Sequence, residues 1–130
     1  MILLDTNIVL WAAFDADRLS KKAKATIEDA RRTGEGLAIS DMTLLEVAML
    51  ANKKRIPLHV SLESFLSQLE GRFTVLPMNG EICARAYALP PKYFKDPADR
   101  IIAATALVAG LTLVTADAQI RRSGAVPTIW

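Results

Sequence analysis

Met1-Ile-Leu-Leu4-Asp5-Thr6-Asn7-Ile8-Val9-Leu10-Trp11-Ala12-Ala13-Phe14 opens the chain with four apolar residues, one acid and a second apolar run. The first four suit a buried strand, and Ile8, Val9, Trp11, Ala12 and Ala13 fall at the apolar positions of a helix. Asp5 stands at the junction and is the only charged side chain up to Phe14. A strand that passes through one residue into a helix is the unit from which parallel sheets are built.

The same alternation continues outward. Ser20 caps an amphipathic helix to about Arg32, with Ala23, Ala25, Ile27 and Ala30 among its charges, and Gly34 and Gly36 end it. Leu37-Ala38-Ile39 reads as a buried strand, and Ser40 or Asp41 caps a nearly all-apolar helix from Met42 to Asn52 that closes at Lys53-Lys54-Arg55 before Pro57. A helix over Ser61 to Leu69, a strand over Phe73 to Leu76 and a helix over Asn79 to Ala88 follow. Pro90-Pro91 and the residues to Lys95 form a loop, and Asp96-Pro97 opens a helix that Gly110 ends. Leu111 to Thr115 is a strand, Ala116 to Arg122 a turn or short helix, and Val126 to Trp130 a last strand. The expectation is a three-layer α/β/α sandwich around a short, mostly parallel sheet of about five strands.

With 130 residues, the chain fits one domain spanning 1–130 and is long enough to bury a real core. Hydrophobic residues make up 52% and mean hydropathy is +0.24, which excludes a disordered chain. Sixteen Lys and Arg nearly balance fourteen Asp and Glu, so nucleic-acid binding by bulk charge is excluded and any such contact needs a local patch. Cys83 is the only cysteine and His59 the only histidine, too few for a disulfide or a structural zinc site, and a reducing, cytoplasmic setting is expected. Met1 to Leu4 carry no basic leader, so no cleaved signal peptide is expected. The apolar stretch from Ile101 to Ile120 is broken by Gly110, Thr112, Thr115 and Asp117 into helix and strand, so no membrane partner is expected.

Four acids stand in apolar surroundings. Besides Asp5, Glu46 is the only charge between Asp41 and Lys53, Asp117 the only one between Arg100 and Arg121, and Asp99 opens the apolar run from Ile101 to Ala109. An ionised carboxylate in such a setting costs several kcal/mol or more unless a cation or hydrogen bonds compensate it. Asp5 and Asp117 follow strands directly, Asp99 lies in the first turn of its helix, and Glu46 sits a turn or so into its own. All four therefore share the end of the sheet where ligands collect. With no matching Lys or Arg in those runs, one or two Mg²⁺ or Mn²⁺ ions are the simplest neutraliser, because hard cations prefer oxygen ligands. Asp5 and Asp99 are the first choice for direct ligands, with Glu46 and Asp117 acting through water or orienting a nucleophile. Ordinary roles stay open: Asp5, Asp96 and Asp99 all suit helix caps and Asp117 a turn, whereas Glu46 in mid-helix caps nothing.

These motifs resemble the PIN-domain family, especially the toxin ribonucleases of VapC-type toxin–antitoxin pairs. The likeness runs through Leu4-Asp5-Thr6-Asn7, Ile39-Ser40-Asp41-Met42-Thr43-Leu44-Leu45-Glu46-Val47, the run from Lys95 through Asp96-Pro97-Ala98-Asp99-Arg100 to Ala106, and Leu113-Val114-Thr115-Ala116-Asp117. It implies that Asp5, Glu46, Asp99 and Asp117 are the acidic metal-site residues of an endoribonuclease, with Thr6, Asn7, Ser40, Thr115 and Asp96 as polar support. Helix caps or strand-end hydroxyls account equally well for Thr6 and Ser40. The resemblance further implies a homodimer, an RNA substrate cut to 5′-phosphate and 3′-hydroxyl ends, and an antitoxin that covers the acidic pocket. Phe94 stands where many relatives carry His, and Ala98 where they carry a bulky residue, so no local histidine is expected to meet substrate.

Arg100, Arg121 and Arg122 are the basic residues nearest the acids in sequence and the candidates for RNA contact, with Lys53, Lys54 and Arg55 a second patch; a merely solvated surface is the alternative for both. Trp11 and Phe14 read as core, and His59 as a surface residue. Three other readings compete with a nuclease. An aspartyl phosphotransferase at Asp5 lacks a second acid two residues on, and a nucleotide-binding module lacks a Gly-rich phosphate loop. A non-catalytic interaction domain would have no need of all four acids.

Overall fold

The structure is a computed structural model that describes residues 1–130. Strands β1 (Ile2–Leu4), β2 (Leu37–Ser40), β3 (Thr74–Leu76), β4 (Thr112–Val114) and β5 (Thr128–Ile129) form one sheet in the order β3-β2-β1-β4-β5. Every neighbouring pair is parallel. Helices α1 (Thr6–Phe14), α2 (Lys21–Thr33), α3 (Asp41–Asn52), α4 (Leu62–Arg72), α5 (Gly80–Tyr87), α6 (Pro97–Ala109) and α7 (Ala118–Ser123) connect the strands. The expected α/β/α sandwich is present, and its sheet is wholly parallel.

Side chains alternate across each strand, and this assigns the layers. Leu4, Leu37, Ile39 and Val114 join Ile8, Val9, Ile27, Val47, Phe65 and Leu69 on one face. Leu3, Ala38 and Leu113 join Phe94, Ile102, Ala103, Ala106, Ile120 and Val126 on the other. Burying each large side chain contributes about 1.5–3 kcal/mol, so a sheet that is apolar on both faces must be covered on both. A smaller cluster of Ile82, Ala86, Ile101 and Ala104 seats α5 on α6. No helix is long and apolar enough to cross a membrane.

Short polar side chains start most of the helices. Ser20, Ser40, Ser61, Asn79, Asp96 and Asp117 each accept from a backbone N–H in the first turn that follows. Gly110, at φ 68°, adopts the left-handed conformation that turns the chain from α6 toward β4. Departures from expectation lie at element ends. α4 starts one residue after Ser61 and continues through Gly71 to Arg72, a 3-10 turn at Ala16–Arg18 follows α1, and the last strand contracts from Val126–Trp130 to Thr128–Ile129. That contraction leaves little of the β5 edge open to pairing with other chains.

The strand order reverses between β1, which leads toward β2, and β4, which is reached through α5 and α6. In open parallel sheets the crevice for ligand forms outside the carboxyl ends of the strands at such a reversal. Asp5 and Thr115 are the residues that follow β1 and β4, and the two strands are joined there by a backbone bond of 3.0 Å from Asp5 N–H to the Val114 carbonyl.

Candidate active site

Asp5 is buried, 8% exposed, and caps α1 by accepting the Thr6 N–H at 2.8 Å on Oδ1. Its other oxygen accepts the Thr115 hydroxyl at 2.7 Å. Capping and site membership are thus compatible, because one oxygen serves each. Asp117 caps α7 through Oδ1, which accepts from the Gln119 and Ile120 N–H groups, and its own N–H donates to Thr115 Oγ1. Thr115 therefore links the two strand-end acids.

Glu46 is half-buried on α3, with Oε1 receiving the Thr6 hydroxyl at 2.6 Å. Asp99 is half-buried in the first turn of α6, and no protein group hydrogen-bonds to its carboxylate. Helices α3 and α6 run back across the sheet, so their N-terminal turns lie at the same end as Asp5 and Asp117.

The acids perturb one another. Burial pushes the Asp5 carboxyl up, opposed by the bonds from Thr115 and Thr6 and reinforced by the charges of Asp117 and Asp96. Burial also raises Glu46, opposed by Thr6 and reinforced by Asp5 and Asp96. Asp99 is pushed up to about 7, first by burial and then by the charges of Asp5, Asp96, Asp117 and Glu46, with nothing to offset them. The single ion pair of the molecule, Arg32 with Asp29, is on α2. No Lys or Arg neutralises the acidic group.

As the side chains stand, no three acids close on a common point as an assembled ligand set. The donor chemistry suits a hard divalent cation all the same: several carboxylates in one field, partly desolvated and without a cationic partner. A cavity of about 400 Å³ contains no acid. It is lined by Arg31, Gly34, Gly36 and Arg72, which precede β2 and β3 at the opposite end of the sheet.

The supporting residues divide. Thr6 and Thr115 bond directly to Glu46 and Asp5. Ser40 is buried as the cap of α3, accepting from Met42 N–H, and touches none of the four acids. Asp96 caps α6 by accepting from Ala98 N–H, and its charge still reaches Asp5, Glu46 and Asp99. Asn7 is exposed, hydrogen-bonds none of the acids, and lines a surface groove with Trp11, Arg18 and Arg55. Trp11 packs on Trp130 and under Arg18, and Phe14 on Phe65, as core aromatics do. Thr43, wholly buried with its hydroxyl 3.0 Å from that of Thr6, was not singled out by the sequence. Its one signal there is its place three residues before Glu46 on an apolar helix.

Residues 2–125 match the PIN domain family. The chain belongs to that family. It is 36% identical to Ribonuclease VapC22 of Mycobacterium tuberculosis over 131 aligned residues, covering 99% of this chain and 98% of the relative. Among solved structures, this PIN domain superposes with TM-score 0.69 on a chain of DNA-bound VapBC from Salmonella typhimurium, at 21% identity and covering 99% and 98% of the two chains. It also superposes with TM-score 0.59 on a chain of a toxin–antitoxin complex from Klebsiella pneumoniae, at 25% identity and covering 88% and 85%.

The arginines of this PIN domain need one correction. Arg100 does not face solvent or an RNA path: it is 8% exposed, stacks under Tyr87, and donates Nη1 to the carbonyls of Ala86 and Leu89 at the end of α5. Those carbonyls lie at and just past the C-terminus of α5, and the guanidinium adds a charge-assisted donor to both. Arg100→Met is expected to destabilise the fold by about 2 kcal/mol in a urea melt, the loss of a charge-assisted bond. It should leave the salt dependence of RNA binding unchanged, whereas loss of a phosphate contact would lower the slope by roughly 0.7. Arg121 and Arg122 are exposed on α7, just past Asp117. Lys53 to Arg55 end α3, about 18 Å from its start at the acidic end.

Proposed function

We propose that this PIN domain is a Mg²⁺- or Mn²⁺-dependent endoribonuclease and the toxin of a toxin–antitoxin pair. The observation that carries the metal-dependent reading is the group of four mutually repelling carboxylates without a cation, in which Asp99 is raised to about 7. RNA as substrate is supported by the ribonuclease named as a relative across nearly the whole chain. Asp5 and Asp99 would hold the ion or ions, with Glu46 and Asp117 acting on the water around them. When bound, the ion supplies Lewis-acid polarisation of the scissile phosphate and a nucleophile at neutral pH.

The chain's own groups do the rest. Thr115 fixes Asp5 Oδ2, so the carboxylate keeps one orientation while Oδ1 caps α1. Thr6 pins Glu46 Oε1, leaving Oε2 to accept a proton from the attacking water. Arg121 and Arg122, exposed just past Asp117, hold flanking phosphates of an extended strand. Water adds to phosphorus as the P–O3′ bond breaks, and protonation of the departing 3′ oxygen leaves 5′-phosphate and 3′-hydroxyl ends.

The solved neighbours include toxin–antitoxin assemblies, and an antitoxin segment over the acidic mouth together with a homodimer is the partner arrangement we propose. Exposed Leu45, Met49 and Val60 offer apolar surface for such contacts. The test is RNA cleavage by the purified protein with Mn²⁺, then with excess chelator, then with metal restored. Activity should vanish with chelator and return with Mn²⁺ or Mg²⁺; cleavage indifferent to chelator would falsify the mechanism.

A further inference from the structure

Each buried polar side chain of this fold but one has a role assigned above or a common one in helices. Asp5 and Thr115 bond each other, Ser40 caps α3, Arg100 caps α5, Thr6 donates to Glu46, and Thr105 donates back to the Ile101 carbonyl within α6. Thr43 remains. The helix threonines Thr26 and Thr33 also donate to the carbonyl four residues back. Thr43 does not. It is the third residue of α3, so the residue four back is in β2, and its hydroxyl turns across to α1 instead.

The direction of that contact follows from proton count. A threonine hydroxyl has one proton. Thr6 directs its proton to Glu46 Oε1 at 2.6 Å, so across the 3.0 Å contact Thr43 is the donor and Thr6 the acceptor. The chain of bonds runs from Thr43 to Thr6 to Glu46, wholly within the protein, and polarisation along it strengthens each link. It also joins two elements. Thr6 is the first residue of α1, next to Asp5, whereas Thr43 and Glu46 stand one turn apart on α3.

We infer that Thr43 is a positioning residue for Glu46: by donating to the Thr6 hydroxyl it locks that hydroxyl on Glu46 and sets α3 against the Asp5 end of α1. The kinetic consequence rests on the ribonuclease reading; the seating of the Glu46 carboxylate does not. Substitutions of the groups that orient a ligand set typically reduce activity by roughly 10–100-fold.

Thr43→Val keeps the shape and removes the hydroxyl, and Thr43→Ser keeps the hydroxyl. Thr43→Ala gives the same test as Val without a methyl that crowds Thr6. Crystal structures of the variants should show Glu46 within hydrogen-bond distance of Thr6 in wild type and Thr43→Ser, and displaced in Thr43→Val or Thr43→Ala. In RNA cleavage, kcat should fall roughly tenfold for Val or Ala with KM unchanged, and Ser should stay within about twofold of wild type. Added to Thr6→Val, Thr43→Val should cause no further loss, because its effect passes through Thr6. Glu46 in its native place in both Val and Ala variants, a serine variant as impaired as valine, or multiplying losses in the double variant would each overturn the inference. If wild type cuts no RNA, the functional reading fails by itself, and the crystal structures alone decide whether Thr43 seats Glu46.

Discussion

Asp99→Asn is expected to reduce RNA cleavage by roughly a thousandfold or more, ~4 kcal/mol of transition-state stabilisation, while making the protein more stable in the presence of chelator. Both halves follow from one fact: Asp99 accepts no hydrogen bond, faces no cation, and is raised from its ordinary 3.8 to about 7 by burial and four like charges. The folded protein therefore keeps a proton on Asp99 up to about pH 7, whereas the unfolded chain releases it near pH 4. Stability from this group is fully present below about pH 4 and is lost as pH rises through 7. The amide of Asn carries no charge at any of these pH values.

In chelator, the melting temperature of Asp99→Asn should match wild type near pH 4 and exceed it by about 3–5 °C above pH 7. That is the shift from ~1 kcal/mol in a domain of this size, after allowing for partial exposure of the carboxylate. Mn²⁺ should raise the melting temperature of wild type and leave the variant nearly unchanged. A variant that melts lower than wild type at pH 8 in chelator would mean that Asp99 serves the fold and not the site. Functional groups held in an unfavourable setting commonly trade stability for activity in this direction.

The largest effect on stability is expected at Phe94, which is fully buried in the cluster on the α6 face of the sheet. It ends the turn that begins at Pro90, where both Tyr93 and Phe94 N–H groups donate to the Pro90 carbonyl. Phe94→Ala removes an aromatic ring from a core without space to collapse, and comparable truncations cost about 3–5 kcal/mol. Against a total of about 5–15 kcal/mol for a domain, that is a large share. A guanidinium chloride melt should show the midpoint drop with little change in slope. Phe94 lies two residues before Asp96, so the same packing holds the loop that delivers Asp96 and Asp99. A loss below about 1 kcal/mol would mean that the ring is not part of the core.

Much of this was legible in the sequence, for identifiable reasons. Parallel strands buried on both faces must be short apolar runs, and Ile2–Leu4, Leu37–Ser40 and Thr112–Val114 are such runs with helix starts immediately behind them. Four lone acids in apolar surroundings were equally plain, and the fold brings them within electrostatic reach of one another. What remained hidden was direction. Arg100 follows Asp99 in sequence, but consecutive helical residues point about 100° apart, so one faces the site and the other the end of α5. Asn7 is turned away from Thr6 in the same manner. Thr43 gave no signal beyond its spacing from Glu46, because its partner is 37 residues away, brought close only when α1 and α3 meet. The edges of the sheet were also blurred, since Val126 is buried as core without entering the ladder that begins at Thr128.

The central claim is that the acids at the reversal point of the sheet cut RNA with the help of a bound divalent metal. The most direct measurement is end mapping of a defined RNA after incubation with wild type and with Asp5→Asn, each with Mn²⁺ and each with chelator. Wild type with Mn²⁺ should release fragments with 5′-phosphate and 3′-hydroxyl ends, and the other three reactions should leave the RNA intact. Fragments of the same kind from Asp5→Asn, or from wild type in chelator, would contradict the account.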